Sequence, residues 1–167
     1  MQFTINRDTF LKSLGHAQGI IEKKTTLPIL SNILLEAKDS KIKITATDLD
    51  IVYSEEIPLQ EIKSEGATTT SSSILYDILR KLENNVKVEL FLQDKNKLKL
   101  TSGNSKFNLN CISSNDYPLS TDDIEQKTFE ITPQKLLRVL NKTKISISND
   151  ETRHYLNGIY LHKIQLE

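Results

Sequence analysis

The 167-residue sequence contains no Trp and a single Cys, and only 5 Gly and 4 Pro interrupt it. One Cys excludes a disulfide framework and any cysteine-rich metal site, and it fits a reducing compartment. The scarcity of Gly and Pro leaves no low-complexity linker. No stretch approaches the ~18–20 apolar residues of a membrane span. The opening Met1-Gln2-Phe3-Thr4-Ile5 passes directly into strand-like alternation, without a signal peptide. The expectation is a soluble cytoplasmic protein with no membrane partner. Charge of one sign is also lacking, since 22 Lys and Arg stand against 22 Asp and Glu. That excludes a simple polybasic nucleic-acid binder, but not a protein whose basic residues share one surface. With 37% hydrophobic residues, the chain suffices for about one domain plus a remainder.

The arrangements that an enzyme needs are missing as well. Cys111 ends an alternating strand, and His16, His154 and His162 are scattered, with no nucleophile-elbow pattern. Between His154 and His162 there is no carboxylate or thiol at a ligand spacing, so no metal is expected. Gly66 and Gly103 are isolated turn glycines rather than a phosphate-binding loop. Glu55-Glu56 and Asp122-Asp123 read as wet faces and loop charges. The chain reads as a non-enzyme without cofactors.

What is present is a pattern of short strands and a few helices. After Phe3-Thr4-Ile5, Asp8 is placed to cap a helix carrying Phe10, Leu11, Leu14, Ala17 and Ile21 at helical spacing. A Pro-bearing strand entry, Pro28 to Leu30, leads into Ile33 to Ala37. A turn at Asp39-Ser40 precedes the alternating Lys41 to Ala46, and Asp50 to Pro58 continues as a strand. A second helix follows Thr68 to Ser73, with Leu75, Ile78, Leu79 and Leu82 apolar and Asp77, Arg80 and Lys81 facing away. Strands at Val86 to Phe91, Lys97 to Leu100 and Phe107 to Asn110 follow. The polar stretch from Ser113 to Lys127 is the expected boundary, which divides residues 1–122 from 123–167.

Across that boundary the sequence repeats itself. A spacing of 126 residues separates Phe3 from Phe129, Leu14 from Leu140, Leu30 from Leu156, Ile33 from Ile159 and Leu35 from Leu161. One ungapped spacing that matches a strand, a helix and a later strand indicates a duplicated domain. In the second copy Thr132 is the helix cap and Pro133 the first helical residue. A weaker echo at 65 residues, from Leu14 to Leu79, divides the first copy into two similar halves. The expected architecture is α+β, each domain having two helices packed on antiparallel sheets. The second copy is expected to be truncated to strand, helix and strand, because it stops at Glu167 with most of its core missing.

Basic residues recur on the outward helix faces: Lys12 and Lys23, Arg80 and Lys81, then Lys135, Arg138 and Lys142. Such a surface suits a phosphate backbone without reading sequence. Two loops, Glu22 to Asn32 and Ser148 to Gly158, occupy matching places in the two copies and carry donors, with an aromatic in the second. The competing reading is a repeat-built protein-interaction scaffold whose basic helices are solvated surface.

Thr26-Leu27-Pro28-Ile29-Leu30-Ser31-Asn32, Thr47-Asp48-Leu49-Asp50, Gly66-Ala67-Thr68, Asp116-Tyr117-Pro118 and Arg153-His154-Tyr155-Leu156-Asn157-Gly158 together closely resemble the bacterial sliding clamp, the beta subunit of DNA polymerase III. The resemblance implies the DNA-clamp fold, three similar domains per chain and a ring of two chains around duplex DNA. It implies a non-catalytic processivity factor, loaded by a clamp loader, that binds polymerase and loader subunits through short linear peptides. By resemblance Lys24, Asn149, Arg153, His154 and Tyr155 meet DNA, with Arg80 and Arg138 on the pore helices. Arg153 and Leu156 edge a peptide groove whose other wall would lie beyond Glu167. Ile74, Phe107 and Leu109 correspond to the head-to-tail dimer edge. Two departures stand out. Ser71-Ser72-Ser73-Ile74 replaces a segment where members often carry Pro and basic residues, and His154 replaces a more usual aromatic or Pro.

Overall fold

The structure, a computed structural model, describes residues 1–21, 26–94, 96–119, 130–148, 150 and 152–162. Two compact units are present, Met1–Thr121 and Asp122–Glu167. In the first, the order is β1 (Gln2–Asn6), α1 (Arg7–Ala17), β2 (Asn32–Lys38), β3 (Lys41–Thr47), β4 (Val52–Pro58), β5 (Glu61–Ser64), β6 (Gly66–Ser71), α2 (Ser72–Lys81), β7 (Lys87–Asp94), β8 (Lys97–Ser102) and β9 (Ser105–Ile112). All strand pairs are antiparallel, in the order β4-β3-β2-β6-β9-β8-β7-β1-β5.

The two halves are visible and interlocked. Asn6 and Ser71, 65 residues apart, are the N-caps of α1 and α2. Phe10 and Leu14 of α1 and their counterparts Leu75 and Leu79 of α2 are completely buried. Burial of each contributes about 2 kcal/mol. The first strand of each half, however, pairs in the other half's sheet: Phe3 lies opposite Leu90 on β7, and Thr68 opposite Leu35 on β2. Alternation on β2, β3, β7 and β8 sends Ile33, Leu35, Ile42, Ile44, Val88, Leu90, Leu98 and Leu100 into one core with both helices. The half-sheets join only at Thr69–Ile112 and Thr70–Cys111.

Local structure departs from the sequence reading in four places. The α1 cap is Asn6, not Asp8: its side chain accepts from the amides of Asp8 and Thr9 at 2.9 and 3.2 Å, while Asp8 sits in the first turn and pairs with Arg7. Pro28–Ser31 is a 3₁₀ turn rather than strand, closed by Leu30 N–H to the Leu27 carbonyl at 3.0 Å and Ser31 Oγ to the Pro28 carbonyl at 2.7 Å. Strand β4 begins at Val52, because Asp48 Oδ1 accepts from the amides of Asp50 and Ile51 and bends the chain into a turn. The short strand β5 was not foreseen; it pairs with β1.

The turn at Asp39-Ser40 is as expected, and both residues have positive φ, 48° and 60°. Lys38 and Lys41 close this two-residue hairpin, a geometry that favours Asn-Gly. Changing Asp39-Ser40 to Asn-Gly is therefore expected to stabilise the unit by about 1 kcal/mol, read as a higher urea midpoint at unchanged slope.

Edge strand β4 turns Tyr53 and Glu55 toward α1. The Tyr53 hydroxyl donates to Glu55 Oε2, and His16 Nδ1 lies 3.4 Å from the same oxygen. That hydroxyl, with smaller help from Ser13 and His16, holds the Glu55 carboxyl below its ordinary value, while burial first and then the carboxylate push the Tyr53 phenol up to about 12. An inward carboxylate also discourages strand addition at an open edge. Because the folded-state value of Glu55 is depressed, its contribution is fully present above the unfolded carboxylate value and is lost as pH falls through the folded one. In Tyr53→Phe the stability deficit should be constant above about pH 5.5 and shrink on acidification. A deficit that persists unchanged down to pH 3 would exclude this linkage.

In the second unit, α3 spans Pro133–Thr143, with Thr132 as N-cap and Pro133 in its first turn. Thr132 caps by backbone position only, without a side-chain hydrogen bond. Of the strand, helix and strand expected there, the described residues form the helix alone; Glu130–Thr132 and Gly158–His162 are irregular. Strands need partners. In the first unit β1 is held by β7, and β2 by β3 and β6, and no counterparts of these follow α3 among the described residues.

Candidate nucleic-acid interface

Helices α1 and α2 lie antiparallel, and polar contacts at both ends hold them so. At one end the Arg7 guanidinium donates to the last carbonyls of α2, Nε to Leu79 O at 2.6 Å and Nη2 to Arg80 O at 3.0 Å. At the other, Gln18 Nε2 donates to Ser72 Oγ at 2.7 Å. Ser72 stands 65 residues after Arg7, so the two contacts occupy related places in the repeat.

This arrangement leaves Lys12 and His16 of α1 and Asp77, Arg80 and Lys81 of α2 exposed. Arg80 pairs with Asp77 at 3.2 Å, which reduces the field it offers a phosphate. Lys12 and Lys81 have no carboxylate partner among the described residues. Helix α3 is more one-sided. Lys135, Arg138 and Lys142 stand at i, i+3 and i+7, all exposed, and the helix contains no Asp or Glu. Residues at that spacing share one face, so three cations point the same way.

The second-copy loop is a closed structure. Ser148 N–H donates to the Leu156 carbonyl at 2.9 Å, and Asp150 Oδ1 accepts from the amide and hydroxyl of Thr152 at 2.9 and 2.6 Å. These bonds, the hydroxyl first, hold the Asp150 carboxyl below the usual range. Its other oxygen meets Arg153 Nε at 3.4 Å. Arg153 is thus aimed by an acid three residues earlier, a pairing that the spacing Asp150–Arg153 could have revealed. Tyr155 is 83% exposed and Leu156 partly so. Tyr160 and His162 stack with ring centroids 5.1 Å apart. Lys24 and Asn149 lie outside the described residues, as does the side chain of His154.

The three residues expected at a dimer edge differ in setting. Ile74, in the first turn of α2, is 53% exposed; Phe107 is half-buried against the core; Leu109 is 4% exposed and belongs to the core. Their strand β9 has a free side. From Ser105 to Asn110 it is paired to β8 alone. Cys111 N–H points to β8, donating to Asn96 O at 2.9 Å. Antiparallel alternation therefore turns the backbone groups of Lys106 and Asn108 outward.

A family model described as the DNA polymerase III beta subunit, N-terminal domain, matches residues 1–121. The chain belongs to the sliding-clamp family of DNA polymerase III beta subunits. The beta sliding clamp of Caulobacter vibrioides is 39% identical over 165 residues, which are 98% of this chain and 44% of that relative. The Pseudomonas aeruginosa clamp is 32% identical over 96% of this chain and 44% of its own length. Among solved structures, Caulobacter crescentus polymerase III beta superposes with a TM-score of 0.91 at 38% identity, over 99% of this chain and 44% of that one. A Bartonella birtlesii sliding clamp bound to griselimycin gives 0.92 at 37%, over 97% and 43%. The chain therefore spans less than half the length of the clamps it matches. The α+β fold of paired antiparallel half-sheets under two helices is the fold of these clamps.

Proposed function

We propose that the chain is the DNA-encircling part of a processivity clamp, a non-catalytic ring component that holds a polymerase on duplex DNA in the cytoplasm without reading sequence and without a cofactor. The observation that carries this reading is the unopposed cationic face of α3, in a family of clamps, alongside Lys12 and Lys81 on the paired helices α1 and α2. Phosphate contacts of this kind position a protein without specifying bases. In this reading Lys24, Arg80, Arg138, Asn149, Arg153, His154 and Tyr155 face DNA. The open side of β9 with Ile74 and Phe107 meets a second copy head to tail, Leu109 supporting Phe107 from the core. Arg153 and Leu156 form one border of a groove for short linear peptides of polymerase and clamp-loader subunits. The Bartonella clamp's complex with griselimycin supports a ligand groove of this kind.

The experiment grafts this chain in place of the corresponding 44% of the Caulobacter vibrioides clamp, loads the chimera onto nicked circular DNA and then linearises the circle. Retention on circles with loss from linear DNA is the expected result. Equal retention on both would mean binding by contacts alone. Failure of a loading-competent chimera to associate with either would favour a scaffold that does not bind DNA. Lys24→Ala should lower the salt slope of DNA binding by ~1 unit on every duplex tested; a loss confined to particular sequences would contradict the role.

A further inference from the structure

The motif Asp116-Tyr117-Pro118 is not used by the DNA-facing helices, by β9 or by the second-copy loop, yet Tyr117 is 5% exposed. What it covers is unusual for the outer side of a sheet. Residues of β2 and β3 that point away from the helices, Leu34 at 1% and the neighbouring Asn32, Thr45 and Thr47, are all buried. Leu34 and Tyr117 are both absent from the main core, in which Ile33, Leu35, Ile42 and Ile44 take part. The Tyr117 hydroxyl shares its proton between the carbonyls of Asn32 and Thr45, at 3.4 and 3.3 Å. The chain leaves β9 at Ile112, which is held through its carbonyl by Thr69 Oγ1 at 2.9 Å. It then crosses β6 to reach the β2–β3 pair, about 12 Å away at the usual strand spacing. The crossing is shaped by a turn that Ser113 caps: Asp116 N–H donates to Ser113 O, Tyr117 N–H to Ser114 O and Leu119 N–H to Tyr117 O.

We propose that Tyr117 latches residues 113–119 onto the outer face of the sheet and that this latch opens as a local unit, without unfolding the main core. Tyr117 is thereby a positioning residue that fixes where the chain leaves the first unit. Three observations converge on it: a small apolar contact set separate from the main core, a hydroxyl shared over two long hydrogen bonds rather than one short one, and strap amides bonded only within the strap. Local opening draws on segments with few ties to the principal core. Thr45 Oγ1 beneath the strap is buried without a hydrogen-bond partner, so the outer-face contact is not fully satisfied even when closed.

Native-state hydrogen exchange of the 167-residue chain in low urea tests this. The amides of Asp116, Tyr117 and Leu119 should exchange through an opening nearly independent of urea, and those of Val88 and Leu90 only through the urea-dependent global transition. Tyr117→Phe, which keeps the ring, should raise strap exchange roughly two- to fivefold, as loss of one weak hydrogen bond does, and leave Val88 and Leu90 unchanged. Thr45→Val keeps the accepting carbonyl and should leave strap exchange as in the parent. Strap amides that share the urea dependence of Val88 and Leu90, or a Tyr117→Phe effect spread evenly over the unit, would overturn the proposal.

Discussion

Replacing Arg7 by Met is expected to lower the unfolding temperature of the first unit by about 10 °C. The side chain is 8% exposed, and Met keeps most of its apolar stem. What is lost is a fork of donors. Besides Leu79 O and Arg80 O, Nη1 reaches Asp8 Oδ1 at 2.6 Å and Asn84 Oδ1 at 3.1 Å. The carbonyls at a helix end need partners, and here a side chain from the other half supplies them. Each net contribution is about 1 kcal/mol, and the largest part of the cost comes from acceptors left without donors. The sum is about 3 kcal/mol, and a domain of this size shifts by several degrees per kcal/mol. Arg7→Lys should recover less than half, since an ammonium cannot reproduce the planar fork. Thermal unfolding followed by circular dichroism gives the answer, with the exposed Lys12→Met as control. A shift below 3 °C for Arg7→Met would mean that water replaces the guanidinium at no cost.

Removing the α3 charges together, as Lys135→Ser, Arg138→Ser and Lys142→Ser in the Caulobacter chimera, should lower the salt slope of DNA binding by about 2.7, the sum of three phosphate contacts at roughly 0.9 each. At 0.1 M salt each contact is worth on the order of tenfold in affinity, so the triple variant should bind hundreds of times more weakly. Arg80→Ser should do less than any one of the three, because Asp77 already shares its charge. Fluorescence anisotropy with two unrelated duplexes between 50 and 200 mM salt measures both quantities. An unchanged slope would remove α3 from the DNA interface. A larger loss for Arg80→Ser than for Arg138→Ser would reverse the assignment of the stronger contacts.

Much of this fold was legible because its signals are periodic. The helix positions Phe10, Leu14, Leu75 and Leu79 follow from spacing, and the halves follow from the 65-residue echo of the same residues. Contacts made at a distance were not legible. Nothing local in Arg7 says that it will end another helix, and nothing in Tyr117 says that it will cover Leu34. Capping was misassigned because Asp8 and Asn6 are both good caps, and the backbone path into α1 from β1 chose Asn6. The second copy shows the limit of periodicity: the Ile159–Leu161 pattern copies Ile33–Leu35, yet a strand forms only where partners exist to bond it. In the candidate site, the recurrence of basic residues marked the helix faces, but which charges are already spent on Asp77 and Asp150 became visible only in three dimensions.

The exchange of first strands between the halves has a consequence for how the chain folds as it is made. Phe3 emerges first but finds its partner Leu90 only 87 residues later. At bacterial elongation rates of about 5–20 residues per second, β1 waits roughly 4–17 s for β7. During that time neither half can close, and a six-stranded half-sheet missing its exchanged strand would present an open, apolar edge. Pairings this distant also give a high contact order, and with it folding on the millisecond-to-second scale rather than in microseconds. The nascent chain is thus exposed for longer than its folded stability would suggest, and its early strands are the part that a chaperone would be expected to shield.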